Sequence, residues 1–281
     1  MALACSPAAK VALRELPPAG LVLLHDDFDG PRLNEEKWIV ARRNWGGKAA
    51  DGTDWNGGVI AENVEVRDGR LVVHARGDHY RGPLRGVARD GRARADGRRS
   101  GGAVQTVASF SGGRFEARMR PTRKLGVVSA MWTFAYEEHD RSPTPPSIIN
   151  HEIDFEVPGR PGAPPTGVTY DYALLNSWRG VGEAEHSVRH HCLTHSIADG
   201  NFHTFAFDWR PPAGGDQGRI DFYLDGVHQY TITTTVPSLA GQLWLGAWFP
   251  KNWAGWPEFD SDGLEIDWVR ISRLAPTSDG G

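Results

Sequence analysis

The sequence predicts an all-β fold, a β-sandwich of the jelly-roll kind, and three observations predict it. Helical periodicity is almost absent over the 281 residues, and short alternating or apolar runs recur instead, separated by Gly, Pro, Asp and Asn. Asp68-Gly69 and Asp225-Gly226 each fall between two such runs, as tight hairpin turns do. Residues 151–157, His-Glu-Ile-Asp-Phe-Glu-Val, alternate acid with large apolar side chain, the period of a strand with one face buried.

In chain order the expected strands are 59–66 and 70–75, joined by Asp68-Gly69, then 102–109 and 113–120. They continue with 127–136, 151–157, 166–173 and 202–210. The pair 218–224 and 227–235 is joined by Asp225-Gly226, and 242–249 and 264–272 complete the set. Many antiparallel strands with tight turns suit a closed two-sheet architecture. No repeat or linker divides the chain, so residues 1–20 read as a flexible tail and 21–275 as one domain.

Composition narrows the function classes. The chain is 40% hydrophobic and 23% charged, with 31 basic and 35 acidic residues and a net charge of −4. That balance argues against a nucleic-acid partner. No apolar run reaches the ~18 residues of a membrane-spanning helix. Two cysteines, Cys5 and Cys192, make a disulfide framework or thiolate metal site unexpected. The opening Met-Ala-Leu-Ala-Cys reads first as a tail without a role, with the end of a lipoprotein signal, Ala-Leu-Ala-Cys, as the alternative. Eleven tryptophans divide between ordinary core packing and flat platforms for the apolar faces of sugar rings.

Two segments read as long loops, 137–150 and 77–101. The second carries Arg81, Arg85, Arg89, Arg92, Arg94, Arg98 and Arg99, either a solvated surface or a cleft edge that grips an anionic substrate.

The acidic strand carries the chemistry. Glu152, Asp154 and Glu156 share one face while Ile153 and Phe155 share the other. Like charges at every second position destabilise a strand, so a chain that keeps them uses them. Glycoside cleavage normally takes two carboxyl groups, about 5–5.5 Å apart in a retaining enzyme and ~6.5–9.5 Å apart in an inverting one. Long, flexible glutamates leaning together reach the shorter distance, and Asp154 between them can orient one and keep a neighbour protonated. A polar strand face or a calcium cage is the alternative. A cage would come from loops and would not need Ile and Phe alternating inward.

Glu-Ile-Asp-Phe-Glu resembles the signature of the family 16 glycoside hydrolases. Further segments resemble the family over most of the chain: Ser100–Thr106, Gly113–Pro121, Gly126–Phe134, Phe202–Trp209, Phe222–Gly226 and Ile266–Arg270. The resemblance implies a concanavalin A-like jelly roll with an open cleft and a retaining endo-β-glycosidase. Glu152 would be the nucleophile, Asp154 the assisting acid and Glu156 the acid/base. It places Asn56, Trp132, Tyr172, Trp178 and Trp248 in sugar-binding segments and Asp267 where some relatives hold a structural calcium. The single residue between Asp154 and Glu156 resembles the branch acting on mixed-linkage glucan or xyloglucan; laminarinase, agarase and carrageenase types have two. His151 and Asn150 depart from the residues that usually precede the signature in lichenases, and the arginine loop has no counterpart.

The resulting expectation is a monomeric endo-hydrolase of a β-1,3-1,4- or β-1,3-glucan, outside the cell or in the periplasm. It would need no organic or redox cofactor, with calcium as a structural option, and no nucleic-acid or membrane partner. Its rivals are a hydrolase of a β-galactan or anionic polysaccharide, a transglycosylase, and a non-catalytic carbohydrate-binding module.

Overall fold

A computed structural model describes residues 19–43, 58–84, 86–87, 93–94, 99–139, 147–158, 172–181, 185–250 and 253–275. Strands are numbered in chain order. One antiparallel sheet runs β15 (Val227–Ile232), β14 (Arg219–Leu224), β13 (His203–Arg210), β8 (Gly113–Arg120), β17 (Ser261–Leu274), β4 (Leu71–Arg76) and β3 (Val64–Val66). The long β17 also pairs through its second half with β1 (Ala19–Asp26). The other sheet runs β12 (Glu185–Cys192), β11 (Tyr172–Val181), β10 (Ser147–Pro158), β9 (Val128–His139), β16 (Gly241–Trp248), β7 (Gly102–Phe110) and β2 (Trp38–Val40). A two-stranded ribbon, β5 (Gly86–Val87) with β6 (Ala93–Arg94), forms a separate sheet. No α-helix occurs among the described residues. This is the β-jelly roll that the strand pattern predicts.

Both Asp-Gly turns form hairpins. Asp68 and Gly69 have φ of 53° and 67°, Asp225 and Gly226 of 49° and 78°. Positive φ at both central positions matches the turn to strand twist, and Asp and Gly tolerate it best.

One core joins the sheets. Ile153, Phe155 and Val157 of β10 are fully buried in it. The Phe155 ring meets Phe205 edge-on at 5.2 Å and Phe222 at 5.9 Å, both from the opposite sheet. Phe115 stacks on Phe207 at 4.9 Å. Burying such aromatic rings is worth several kcal/mol each, so the apolar half of the alternation anchors the acidic half. On β8 and β13, Arg114 donates twice to Asp208, at 2.7 and 2.8 Å, with both side chains buried.

The boundaries differ from the sequence pattern in several places. Residues 61–63 form a 3₁₀ turn, so 64–66 of the expected strand 59–66 form the strand, while Val59 makes isolated bridges to Arg43 and Gly101. The strand expected at 166–173 is found at Tyr172–Val181, with 159–171 outside the described residues. β9 and β10 extend to His139 and from Ser147, into the expected loop 137–150. Strands β1, β2 and β12 were not legible in the pattern. Ala19 and Gly20, assigned to the tail, open β1.

Candidate active site

β10 pairs with β9 over twelve consecutive positions and with β11 over eight, without a bulge. Register therefore decides what surrounds each acid. Glu152 lies between Phe134 and Trp178, Asp154 between Trp132 and Asn176, and Glu156 between Ala130 and Leu174. One strand further, Trp244 sits opposite Trp132, and Gly246 opposite Ala130. Directly paired residues share a face, so acids, aromatics and small residues line one surface. They form a cleft of about 350 Å³ bounded by Arg43, Trp132, Phe134, Asn150, Trp244 and Trp248. Gly246 keeps the floor low: a Cβ there would stand 2.9 Å from the Ala103 Cβ and 3.2 Å from the Trp132 ring.

The walls are aromatic. Trp132 stacks on Trp244 at 5.5 Å, Phe134 meets Trp244 edge-on at 6.1 Å, and Trp248 packs against the half-exposed Trp253 at 5.9 Å. The buried Trp244 indole N–H and the Asn150 Oδ1 have no hydrogen-bond partner among the described groups. Buried polar atoms seldom stay unpaired. A hydroxyl-bearing ligand in the cleft would supply one acceptor and one donor.

The three carboxyls are driven apart by their surroundings. Burial pushes Glu152 up to about 7, opposed by hydrogen bonds from Asp154 and Asn150 and by the Arg43 charge. The Asn150 Nδ2 donates to Glu152 Oε2 at 3.3 Å. Burial, then the charges of Glu152 and Glu156, hold Asp154 well above the carboxylate range, although the Trp178 indole N–H donates to its Oδ2 at 3.2 Å. Burial and the Glu152 charge push Glu156 up to about 8, opposed by the Asn176 amide, whose Nδ2 donates to Oε2 at 3.0 Å. Three acids crowded in one dry site cannot all ionise near neutrality. Glu152 has the most groups favouring its charge and loses its proton first. Asp154 keeps its proton and donates to Glu152. The set thus holds one carboxylate, one orienting acid and one proton donor. That division is what double-carboxyl glycoside chemistry uses.

Residues 60–270 match the family model for glycosyl hydrolases family 16. The chain belongs to that family. A curated relative, the β-glucanase of Paenibacillus polymyxa, is 28% identical over 175 residues, covering 61% of this chain and 63% of the relative. The chain spans under two thirds of the length of the first curated relatives it matches, 63%, 63% and 59%. Among solved structures, a β-1,3-1,4-glucanase (lichenase) derived from a mouse hindgut metagenome superposes with a TM-score of 0.61 at 20% identity, covering 89% of this chain and 99% of that one. The catalytic domain of an endo-1,3-β-glucanase (laminarinase) from Thermotoga petrophila gives 0.62 at 18% identity, covering 90% and 97%. At that identity the two structures speak to the fold.

Within this family 16 chain, the predicted residues fall in different places. Glu152, Asp154, Glu156, Trp132 and Trp248 line the cleft together. Trp178 shares their face and touches the acids through Asp154, as a hydrogen-bond donor. Tyr172 is the first residue of β11, half-buried and outside the cleft lining. Asn56 lies outside the described residues. Asp267 sits on β17 and is ion-paired with Arg118. A calcium cage needs several oxygen ligands, and here a guanidinium engages the Asp267 carboxylate.

Of the seven loop arginines, Arg85, Arg89, Arg92 and Arg98 lie outside the described residues, and two, Arg81 and Arg99, have described side-chain partners. Arg99 is fully buried and donates from Nε and Nη2 to Asp78, each at 2.8 Å, while its guanidinium lies 5.9 Å from both the Phe249 and Trp256 rings. Arg81 Nη1 donates to the carbonyls of Asp78 and Tyr80. Both serve the loop itself. Among the described residues, the arginine on the cleft wall is Arg43, which the sequence does not single out, as it does not Phe134, Asn176 and Trp244; Asn150 stands out there only as a departure from the lichenase pattern. Alternation along 130–134, 174–178 and 244–248 carried the signal for most of them.

Proposed function

We propose that the chain is a retaining endo-β-glucanase, cutting internal bonds of a β-1,3-1,4- or β-1,3-glucan. The observation that carries this is the unequal environment of three acids on the floor of an aromatic cleft. In the first step the Glu152 carboxylate attacks the anomeric carbon. The glycosidic C–O bond breaks as Glu156 gives its proton to the departing oxygen, and a glycosyl ester forms on Glu152. Asp154 orients Glu152 and shares its charge. In the second step Glu156, now ionised, takes a proton from water. The water oxygen bonds to the anomeric carbon, and the ester bond to Glu152 breaks, restoring the original configuration. Trp132, Trp244 and Trp248 offer apolar faces to successive sugar rings. Two carboxyls suffice for this chemistry, so no organic or redox cofactor is called for.

The bulgeless strand, with one residue between Asp154 and Glu156, supports the mixed-linkage substrate, and the β-glucanases among its relatives support a β-glucan. Arg43 on the wall is the observation that favours a second reading, a polysaccharide bearing carboxylate or sulfate. A polymer of either kind is met outside the cytoplasm, which supports an enzyme acting in the periplasm or beyond it.

The test is a reducing-end assay over neutral and sulfated β-glucans and galactans, with proton NMR of the first product. Activity on mixed-linkage glucan with retained β configuration is expected. An inverted first product would refute the mechanism, and turnover of only charged substrates would transfer the reading to the anionic class. Ring-bound but uncut glucan would leave a binding module.

A further inference from the structure

A second convergence of chemical groups lies away from the cleft. It is built by three separate pieces of chain: the loop after β12, the start of β13 and the β14–β15 turn. Asp225 occupies that turn at a φ of 49°, and its Oδ1 accepts from the Thr204 backbone N–H at 2.8 Å. The other oxygen, Oδ2, stands 2.7 Å from His203 Nδ1 and 2.9 Å from His195 Nε2. One donor atom from each of the three residues falls within 4.8 Å of the others. None of the three lines the cleft.

The far side of each ring points to a ligand set and not merely to a salt bridge. His203 Nε2 lies 3.1 Å from Asp199 Oδ1, and that oxygen also accepts from the Asn201 N–H at 2.9 Å. His195 Nδ1 lies 3.2 Å from Thr194 Oγ1. Metal-bound imidazoles usually donate their second N–H to a carboxylate or other oxygen, which fixes tautomer and ring orientation. Both histidines have that partner in place. With metal–nitrogen bonds of about 2.0–2.1 Å, the edges of a tetrahedral site are roughly 3.3 Å. The two N···O gaps would open by about half an ångström to admit an ion. His203 is largely buried while His195 and Asp225 reach the surface, which leaves a side open for water as a fourth ligand.

We propose that His195, His203 and Asp225 bind a divalent transition-metal ion of the zinc type, tying the loop after β12 to the β14–β15 hairpin. Two imidazoles and one carboxylate suit zinc, nickel or copper and do not suit calcium, which takes oxygen ligands. The ion is a structural clamp and takes no part in glycoside cleavage.

The probe is zinc chloride, titrated calorimetrically into the full chain, prepared without a polyhistidine tag and stripped with chelator, with calcium chloride in parallel. About one zinc per chain and an upward shift of the melting temperature are expected. His195→Ala should weaken that binding at least about tenfold. Asp225→Asn should do the same, and it keeps a side chain that accepts the Thr204 N–H and tolerates positive φ. Both variants should retain the circular dichroism and the metal-free glucanase activity of the parent. Zinc binding that both variants preserve, calcium binding as tight as zinc binding, or no zinc binding at all would overturn the assignment. Each of these would leave the cleft chemistry standing, because glucanase activity is read separately.

Discussion

Replacing Asn176 by valine would shift one limb of the pH–rate profile and leave the other. Asn176 is 5% exposed, and its amide nitrogen donates to Glu156 at 3.0 Å, an interaction that favours the ionised carboxylate. A hydrogen bond to a charged group is worth about 1.5–3 kcal/mol, and one pKa unit is about 1.4 kcal/mol. Glu156 is partly open to the cleft, which discounts the value toward the lower end, so the group should titrate about one unit above its present value of about 8. The fold should tolerate the change: valine suits a strand, and the buried Asn176 Oδ1, which has no partner among the described groups, is removed with the amide. The assay is kcat/KM on soluble mixed-linkage glucan from about pH 5 to about pH 10, a profile that reports ionisations of the free enzyme. The alkaline limb should move up, and the acid limb, set by Glu152 near 7, should stay. Movement of the acid limb alone would mean that Glu156 is the ionised group, and the roles given to the two glutamates would be reversed.

Glu156→Gln should lower kcat/KM on glucan about 10²–10⁴-fold while sparing aryl glycosides whose leaving group needs no proton, read with a chromogenic substrate. The folded-state pKa values of Glu152 and Glu156 lie above their ordinary 4.5, so the native chain holds more protons than the unfolded one between roughly pH 4.5 and 8, and stability falls as pH rises through that window. Glu152→Gln should accordingly raise stability by about 1–3 kcal/mol near pH 8.5 and by little near pH 4, measured by urea denaturation; an equal gain at both would refute the burial argument. Arg114→Met leaves Asp208 buried without its bidentate partner and should cost about 3–5 kcal/mol, seen as a lowered urea midpoint, with kcat/KM unchanged in the folded fraction.

Strands with one polar and one buried face, or with a tight turn beside them, were legible in the sequence: β8, β9, β10, β13 and β14 fall close to their expected positions. What escaped had no such contrast. In β11, Ala173 to Ser177 are all buried, so Tyr-Ala-Leu-Leu-Asn-Ser-Trp offers little alternation, and the pattern was assigned several residues too early. β1 places Leu21, Val22 and Leu23 at the surface, where apolar exposure gives no inward face to detect. In the site, the acids announced themselves by like charge at period two. Arg43 and Trp244 did not, because they reach the cleft from strands and loops distant in sequence, and only pairing register brings them there. Of the arginine loop, sequence shows where guanidinium groups occur along the chain and not which carboxylate each one meets, and Arg99 spends its own on Asp78.

The uninterrupted pairing of β10 has a consequence for how the proposed active centre assembles. A slip of one residue against β9 would send Ile153 and Phe155 into water and three carboxyls into the layer held by Phe205 and Phe222. Each buried, unpaired acid would cost several kcal/mol, so the misaligned chain does not persist. The same energy that selects the native sandwich therefore proofreads the catalytic centre. Maturation of this active site needs no step of its own, and a population of folded molecules should contain no folded but catalytically scrambled fraction.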